Sequence, residues 1–472
     1  MKSIAISIGK VKQSMRMDGS YHNADINVYD DILQGHSSHC LDFYCSNIYT
    51  TGRGRRVYTR PDYGVPFLSN SDMTAQNPLM SCNYMSRKYG YDEPSLLKGG
   101  MILTGRVGAI GQTAFVPKYW EKYSMMGSDN IIRIVVKEHY KNGFIYAYLA
   151  SKYGNLSFWK HATGGVQPFI TDKMVAELPI PDMSIAFQQE VDNLIQESAR
   201  LREEATDALD KAHALLHSAF NNKDANIKSV SIRKIYAAHN QRFEAAYYSS
   251  NNRSIYDSII EQFEFMRLKD LCSRIFRPGI FKRQYVSEGG ITFLGGADIL
   301  NAIPSSYKQL SKPQVKRMPE LMPEQGTILV TCGGTIGNTV YVDNQLATCA
   351  VSQHVMRLVP NGAVPNGYLY AFLSSDIGKK LINLFAFGSV IPQIEAHHLE
   401  LVPVPILDNE TMNRIDALCM QYVSCNELAK ENERKAISLV EEEIESWTTS
   451  NKELAYGRKH RNIHPPVGTC RK

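Results

Sequence analysis

Four arginines crowd one short stretch: Arg53, Arg55, Arg56 and Arg60, interleaved with Gly52 and Gly54 and flanked by Tyr49, Tyr58 and Tyr63. The planar guanidinium offers paired donors to a phosphate or to the edge of guanine, and a glycine-bearing turn beside aromatic rings suits entry into a groove. A second group stands at the equivalent place in the other half of the chain: Arg274, Arg277, Lys282 and Arg283, with Tyr285. The chemistry these residues could supply is recognition of a polyanion, not bond making. A solubilising surface loop is the plain alternative, and recurrence in both halves weighs against it. Arg106 sits in a glycine turn and is a weaker candidate, because Cys332 or Gly333 occupies the matching place. Gln167 beside Pro168 and Gln393 after Pro392 could bond a base edge, although capping a junction between domain and helix suits them better.

Bond-making constellations are missing. The sequence has no G-x-S-x-G, no H-E-x-x-H and no G-x-x-x-x-G-K-[ST]. Gly105-Arg106-Val107-Gly108 and Gly333-Gly334-Thr335-Ile336-Gly337 read as turns between strands, without the helix N-terminus that aligns amides on a phosphate. Asn77-Pro78 continues as Leu79-Met80, so it is not the Asn/Asp-Pro-Pro-aromatic tetrapeptide of amino-methyltransferases. The nine cysteines include no C-x-x-C and no cluster with zinc-ligand spacing, and they read as reduced thiols of a cytoplasm. No apolar run approaches the roughly 20 residues that span a bilayer. The N-terminus lacks a signal-peptide cleavage site.

The elements that must position the arginines are duplicated. Arg16-Met17-Asp18 with Tyr21 returns as Arg242-Phe243-Glu244 with Tyr247, and Phe67-Leu68 as Phe293-Leu294. Gly108-Ala109-Ile110-Gly111 returns as Gly334-Thr335-Ile336-Gly337. Further on, Gly164 with Pro168 returns as Gly388 with Pro392, and Leu178-Pro179-Ile180-Pro181 as Val402-Pro403-Val404-Pro405. This spacing is far longer than the roughly 20–50 residues of a solenoid repeat and describes a duplicated domain. Each copy predicts strand–turn–strand at 103–116 and 329–342, a short helix at 144–152 and 368–375, and a proline-bearing edge strand at 178–181 and 402–405.

A long helix follows each copy. Ser184 to Phe220 contains no Gly or Pro, and Val191, Leu194, Ser198, Leu201, Ala205, Ala208, Ala212, Leu215 and Ala219 recur at steps of three and four. The second helix is expected from Asp408 as N-cap to about Trp447, with Ile415, Leu418, Tyr422, Cys425 and Ala429 inward. Such helices are marginal alone, so an antiparallel pair holding the two globular domains at opposite ends is expected; docking of each on its own domain is the competing arrangement. The domains read as 1–182, 223–407, helices at 183–222 and 408–449, and a basic tail at 450–472. From Asn451 onward six basic residues face only Glu453, so the tail carries the whole net charge of +5. It suits either a solvated terminus or a phosphate-contacting arm.

In this order, and repeated twice, these segments resemble the specificity subunit of type I restriction–modification systems. The resemblance covers nearly the whole chain, apart from the basic tail. It implies an α+β fold of two tandem target-recognition domains, each reading half of a bipartite double-stranded DNA site, separated by two long helices paired as an antiparallel coiled coil. It also implies a subunit without catalysis or cofactors of its own, acting in phage defence. Its partners would be two methyltransferase subunits using S-adenosylmethionine, and a restriction subunit that translocates and cleaves with ATP and Mg. Base-contacting residues vary within the family, so the arginine candidates rest on charge and loop placement alone. A protein-interaction scaffold and a stand-alone DNA-modifying enzyme are the readings to be tested against this one.

Overall fold

The computed structural model describes residues 7–14, 16–17, 21–22, 32–33, 36–164, 167–220, 231–237, 247–248, 251–304, 306, 308–388 and 392–460. Asp18, the Arg242–Glu244 repeat, the helix-ending Asn221–Asp224 and the tail from Arg461 lie outside them. The chain forms two compact units. One comprises residues 1–74, 82–200 and 429–472, and the other 75–81 and 201–428.

In the first unit the strands are β1 (Ser38–Cys40), β2 (Cys45–Tyr49), β3 (Gly64–Leu68), β4 (Asn83–Ser86), β5 (Ile102–Gly105), β6 (Thr113–Phe115), β7 (Met126–Gly127), β8 (Ile131–Val136) and β9 (Pro179–Pro181). Four make an antiparallel sheet in the order β2-β8-β5-β6, and three make β4-β3-β7 with β3 and β7 parallel. Among the described residues β9 pairs only with β1, as prolines without amide donors require at an edge. Helix α1 (Asn142–Ala150) is apolar on every side and lies buried; α2 (Lys152–His161) follows at once, capped by the Ser151 side chain on the Gly154 amide.

The second unit repeats the plan. Its strands are β10 (Phe265–Arg267), β11 (Cys272–Phe276), β12 (Tyr285–Val286), β13 (Ile291–Leu294), β14 (Gln309–Leu310), β15 (Ile328–Thr331), β16 (Thr339–Tyr341), β17 (Ala350–Val351), β18 (Val355–Pro360) and β19 (Pro403–Pro405). The order β11-β18-β15-β16 matches β2-β8-β5-β6, the parallel pair β13-β17 matches β3-β7, and β10-β19 matches β1-β9. The second unit also contains residues 75–81 of the first half of the sequence. Gln76 N donates to Leu300 O at 2.8 Å and its side-chain Nε2 to Tyr422 Oη at 2.8 Å, while Lys379 Nζ donates to Met80 O at 2.8 Å. Asn77 Oδ1 accepts the Leu79 amide, so this asparagine shapes a turn.

The long helices are α3 (Ile185–Ala219) and α6 (Asn409–His460). Ser184 caps the first through the Phe187 amide, and Asp408 the second through Thr411 N at 2.8 Å. They pair antiparallel. Ser198 Oγ donates to Ala429 O at 2.8 Å, and Val191 and Ile195 share a core cluster with Ala436, Val440 and Ile444. The expected seam needs adjustment. Ile195 and Leu216 are the buried residues, whereas their neighbours Leu194 and Leu215 are half-buried; Cys419 likewise replaces Leu418. Beyond Asn432, where the periodicity is least regular, Ala436, Val440 and Ile444 continue the stripe. α6 runs to His460, past the expected 449, because no proline intervenes before Pro465.

Each helix also docks on a domain. The Gly143 amide at the start of α1 donates to Asp192 of α3 at 2.8 Å. The second copy uses helix α4 (Asn366–Ser374), followed by α5 (Asp376–Leu384); the Gly367 amide of α4 donates to Asp416 of α6 at 2.7 Å. Helix–helix pairing and docking therefore coexist, although the sequence presents them as alternatives.

Candidate nucleic-acid interface

The arginine stretch of the first unit is the loop leaving β2. Gly52 and Gly54 have open space around them, and Pro61 begins a 3-10 turn that ends the loop at Arg60. Arg53, Arg55 and Arg60 are exposed, and no guanidinium contact engages them among the described residues. Arg56 is different. Its Nη2 meets Asp129 Oδ1 at 2.6 Å and the guanidinium lies 5.8 Å from the Phe67 ring centroid, so its charge is partly matched and its pKa raised, chiefly by the bond to Asp129. A cavity of about 390 Å³ opens beside the loop, lined by Arg53, Arg55, Phe67, Tyr89, Tyr91 and Asp129.

In the second unit Arg274 stacks 3.8 Å from the Phe276 ring centroid. Arg277 forms an ion pair with Glu395 at 2.6 Å. Lys282 is exposed, and its carbonyl accepts Gln314 Nε2 at 2.8 Å. Arg283 approaches Gln353 Oε1 at 3.5 Å and the Phe293 ring at 5.3 Å. Phe293 and Gln353 are the repeat partners of Phe67 and Asp129, so Arg283 occupies the place of Arg56. The acid is replaced by a neutral amide, so Gln353 does not offset the charge of Arg283 as Asp129 offsets that of Arg56.

Arg106 is half-exposed in the β5–β6 turn, where its amide donates to Asn130 O at 2.8 Å and its carbonyl accepts the Ile170 amide at 2.9 Å. Gly108 (φ 76°) and Gly334 (φ 78°) make these turns possible. The turns close on the 163–169 and 387–393 segments through bridges Val107–Phe169 and Gly333–Gln393. Gln393 thus pairs by its backbone with the glycine turn, and Gln167 is exposed nearby; the helix junctions are held by Asp192 and Asp416 instead.

Two arginines escaped the sequence reading. Arg133 in β8 and Arg357 in β18 are 0% and 1% exposed. Arg133 donates to the carbonyls of Ser95, Gly127, Ser128 and Ile131. Arg357 does the same with Leu321, Val351, Ser352 and Val355. Each ties the four-stranded sheet to the parallel strand pair that carries the loops. Burial pulls both guanidinium groups down to about 10, so both remain cationic at neutral pH. The signal was one basic residue in the same place of two apolar strands, IIRIVV and VMRLVP.

No group of side chains among the described residues could hold a metal ion. No described helix is long and apolar enough to cross a membrane. Residues 260–438 match the family model of the type I restriction modification DNA specificity domain. The second half of the chain carries a DNA specificity domain. The first half repeats the strand order of that domain, and the resemblance to the specificity-subunit family read from the sequence is borne out. No curated protein matches the chain. Among solved structures it is similar to the HsdS subunit from Thermoanaerobacter tengcongensis, at 14% identity, with 86% of this chain and 96% of that one covered and a TM-score of 0.28. The S subunit of a type I system from M. genitalium gives 12% identity, 87% and 94% coverage and a TM-score of 0.31. The type IIG restriction endonuclease BpuSI gives 8%, 39% and 29%, and 0.29. The specificity-domain match at residues 260–438 and the internal duplication together mark the chain's kinship.

Proposed function

We propose that the chain is the DNA-reading subunit of a type I restriction–modification complex, each unit recognising one half of a bipartite double-stranded DNA target. What supports this most is a single combination: a DNA specificity domain in one half and the same strand order, with its own loop arginines, in the other. Arg53, Arg55 and Arg60, with Arg274, Lys282 and Arg283, supply phosphate contacts that set position, while neighbouring polar side chains read base edges. The paired helices α3 and α6 act as the ruler for the gap between half-sites.

The chain itself performs no chemistry in this reading and binds no cofactor. It brings two methyltransferase subunits, which use S-adenosylmethionine on adenine, and a restriction subunit, which uses ATP and Mg. Base modification would require the partner to extrude the target base. The purified chain is expected to be inert towards DNA with S-adenosylmethionine, ATP and Mg²⁺. With partners, binding should weaken steeply between low and moderate salt, as counterion release requires. Turnover by the chain alone, or a response flat in salt, would contradict the proposal.

A further inference from the structure

Next to the arginine loop of the first unit, a second cavity of about 460 Å³ opens between the end of β3, the start of β4 and the glycine turn after β5. Its wall is rich in amides: Asn70, Asn83, Gln112 and Asn130 line it, no carboxylate does, and the one guanidinium in it, that of Arg56, is already paired with Asp129. The four sit at fixed places. Asn70 follows β3, Asn83 begins β4, Gln112 immediately precedes β6 and Asn130 immediately precedes β8. Asn70 holds the wall together, since its Nδ2 donates to Val107 O at 2.8 Å, leaving its Oδ1 buried and unbonded. The side-chain amides of Asn83, Gln112 and Asn130 make no hydrogen bond within the described protein. Asn83 and Gln112 are exposed and Asn130 is half-buried.

The second unit shows that this freedom is not a property of the fold. There the repeat partners are Gln309, Asn338 and His354. Gln309 Oε1 accepts the Gly290 amide at 2.9 Å, Asn338 is 2% exposed and accepts Lys379 Nζ at 2.9 Å, and His354 leans on Gln353. The equivalent groups are consumed internally, and among the described residues no matching set of idle amides remains.

A primary amide carries a donor and an acceptor side by side. That pattern matches the N6–H and N7 edge of adenine in the major groove, where arginine would match guanine and a carboxylate would accept from cytosine. We propose that this cavity reads an adenine in the half-site bound by the first unit, with Asn83, Gln112 and Asn130 as its specificity-determining residues; the assignment rests on the DNA-reading function proposed above. The idle loop arginines beside it contact phosphate and position the edge without choosing the base.

The test is base-modification sequencing of cells that make the chain with its native partners, comparing wild type with Asn83→Ala, Gln112→Ala and Asn130→Ala. At least one variant should accept other bases at one A·T position of one half-site, discrimination there falling roughly tenfold or more, with the other half-site unchanged. Should a variant abolish modification, selection of randomised duplexes by the purified complex gives the same readout. A motif unaltered in both halves for all three variants, or relaxation at a G·C position, overturns the assignment. A wild-type chain that confers no motif overturns the underlying reading, and this assignment with it.

Discussion

Arg133 is a buried cation whose hydrogen bonds go to four carbonyl oxygens, with Asp92 and Asp129 acting on it only through space, in a place where water does not reach. Replacing it by alanine would strand those acceptors and leave a cavity. Arg133→Ala should therefore cost on the order of 3 kcal/mol, and Arg357→Ala a similar amount. Denaturant unfolding measures this directly, and an unchanged midpoint would mean the guanidinium is not the tie between the sheets. The loop arginines belong to the opposite class. Arg53→Ala with Arg55→Ala should lower DNA affinity and reduce the salt slope by about 2, whereas Arg56→Ala should do less because Asp129 already offsets its charge. Equal slopes for the double and single variants would refute that ranking. The sequence showed the loop arginines because they cluster within a few residues. It hid Arg133 and the pairing of Arg56 with Asp129, since a basic residue in a strand reads as surface and the acid lies far along the chain.

At the level of elements, local signals were legible. The glycine turns, the proline-bearing edge strands and the Asp408 cap all follow from backbone chemistry within a few residues, and they stand where the sequence puts them. The helix seam slipped by one residue at Ile195 and Leu216, because α3 faces both α6 and a domain and its buried stripe is wider than a strict heptad. Asp192 and Asp416 illustrate the limit. A carboxylate on a long helix reads as solvated, and only the fold brings it to a buried glycine amide. Asp192→Ala should lower stability by about 1–2 kcal/mol through the unmet Gly143 donor, measured by thermal unfolding; no shift would show that docking does not depend on this bond. His213 on α3 is held down to about 4, first by burial and then by His217. In the unfolded chain it titrates near the ordinary 6.5. Between those values the unfolded state gains a proton that the folded state refuses, so stability falls as pH drops from about 6.5 towards 4, with no effect above. His213→Leu should flatten the unfolding midpoint over that window relative to wild type. Identical profiles would show that this histidine does not contribute.

For the whole molecule, duplication is the organising fact. Two units share one strand plan, yet Asp129 against Gln353, and idle against engaged amides, make them unequal readers. That inequality suits a target whose halves differ. If α3 and α6 set the gap, inserting one heptad into each at matching places should lengthen it by about 3 base pairs, from roughly 10 Å of added helix, and leave both half-site sequences intact. Altered half-sites would place the recognition elements elsewhere. The most direct measurement compares base modifications genome-wide in cells with the partner genes, with and without this chain. The account predicts one split motif, methylated on adenine, that appears only when the chain is present. A modification pattern that is the same in both strains would contradict it.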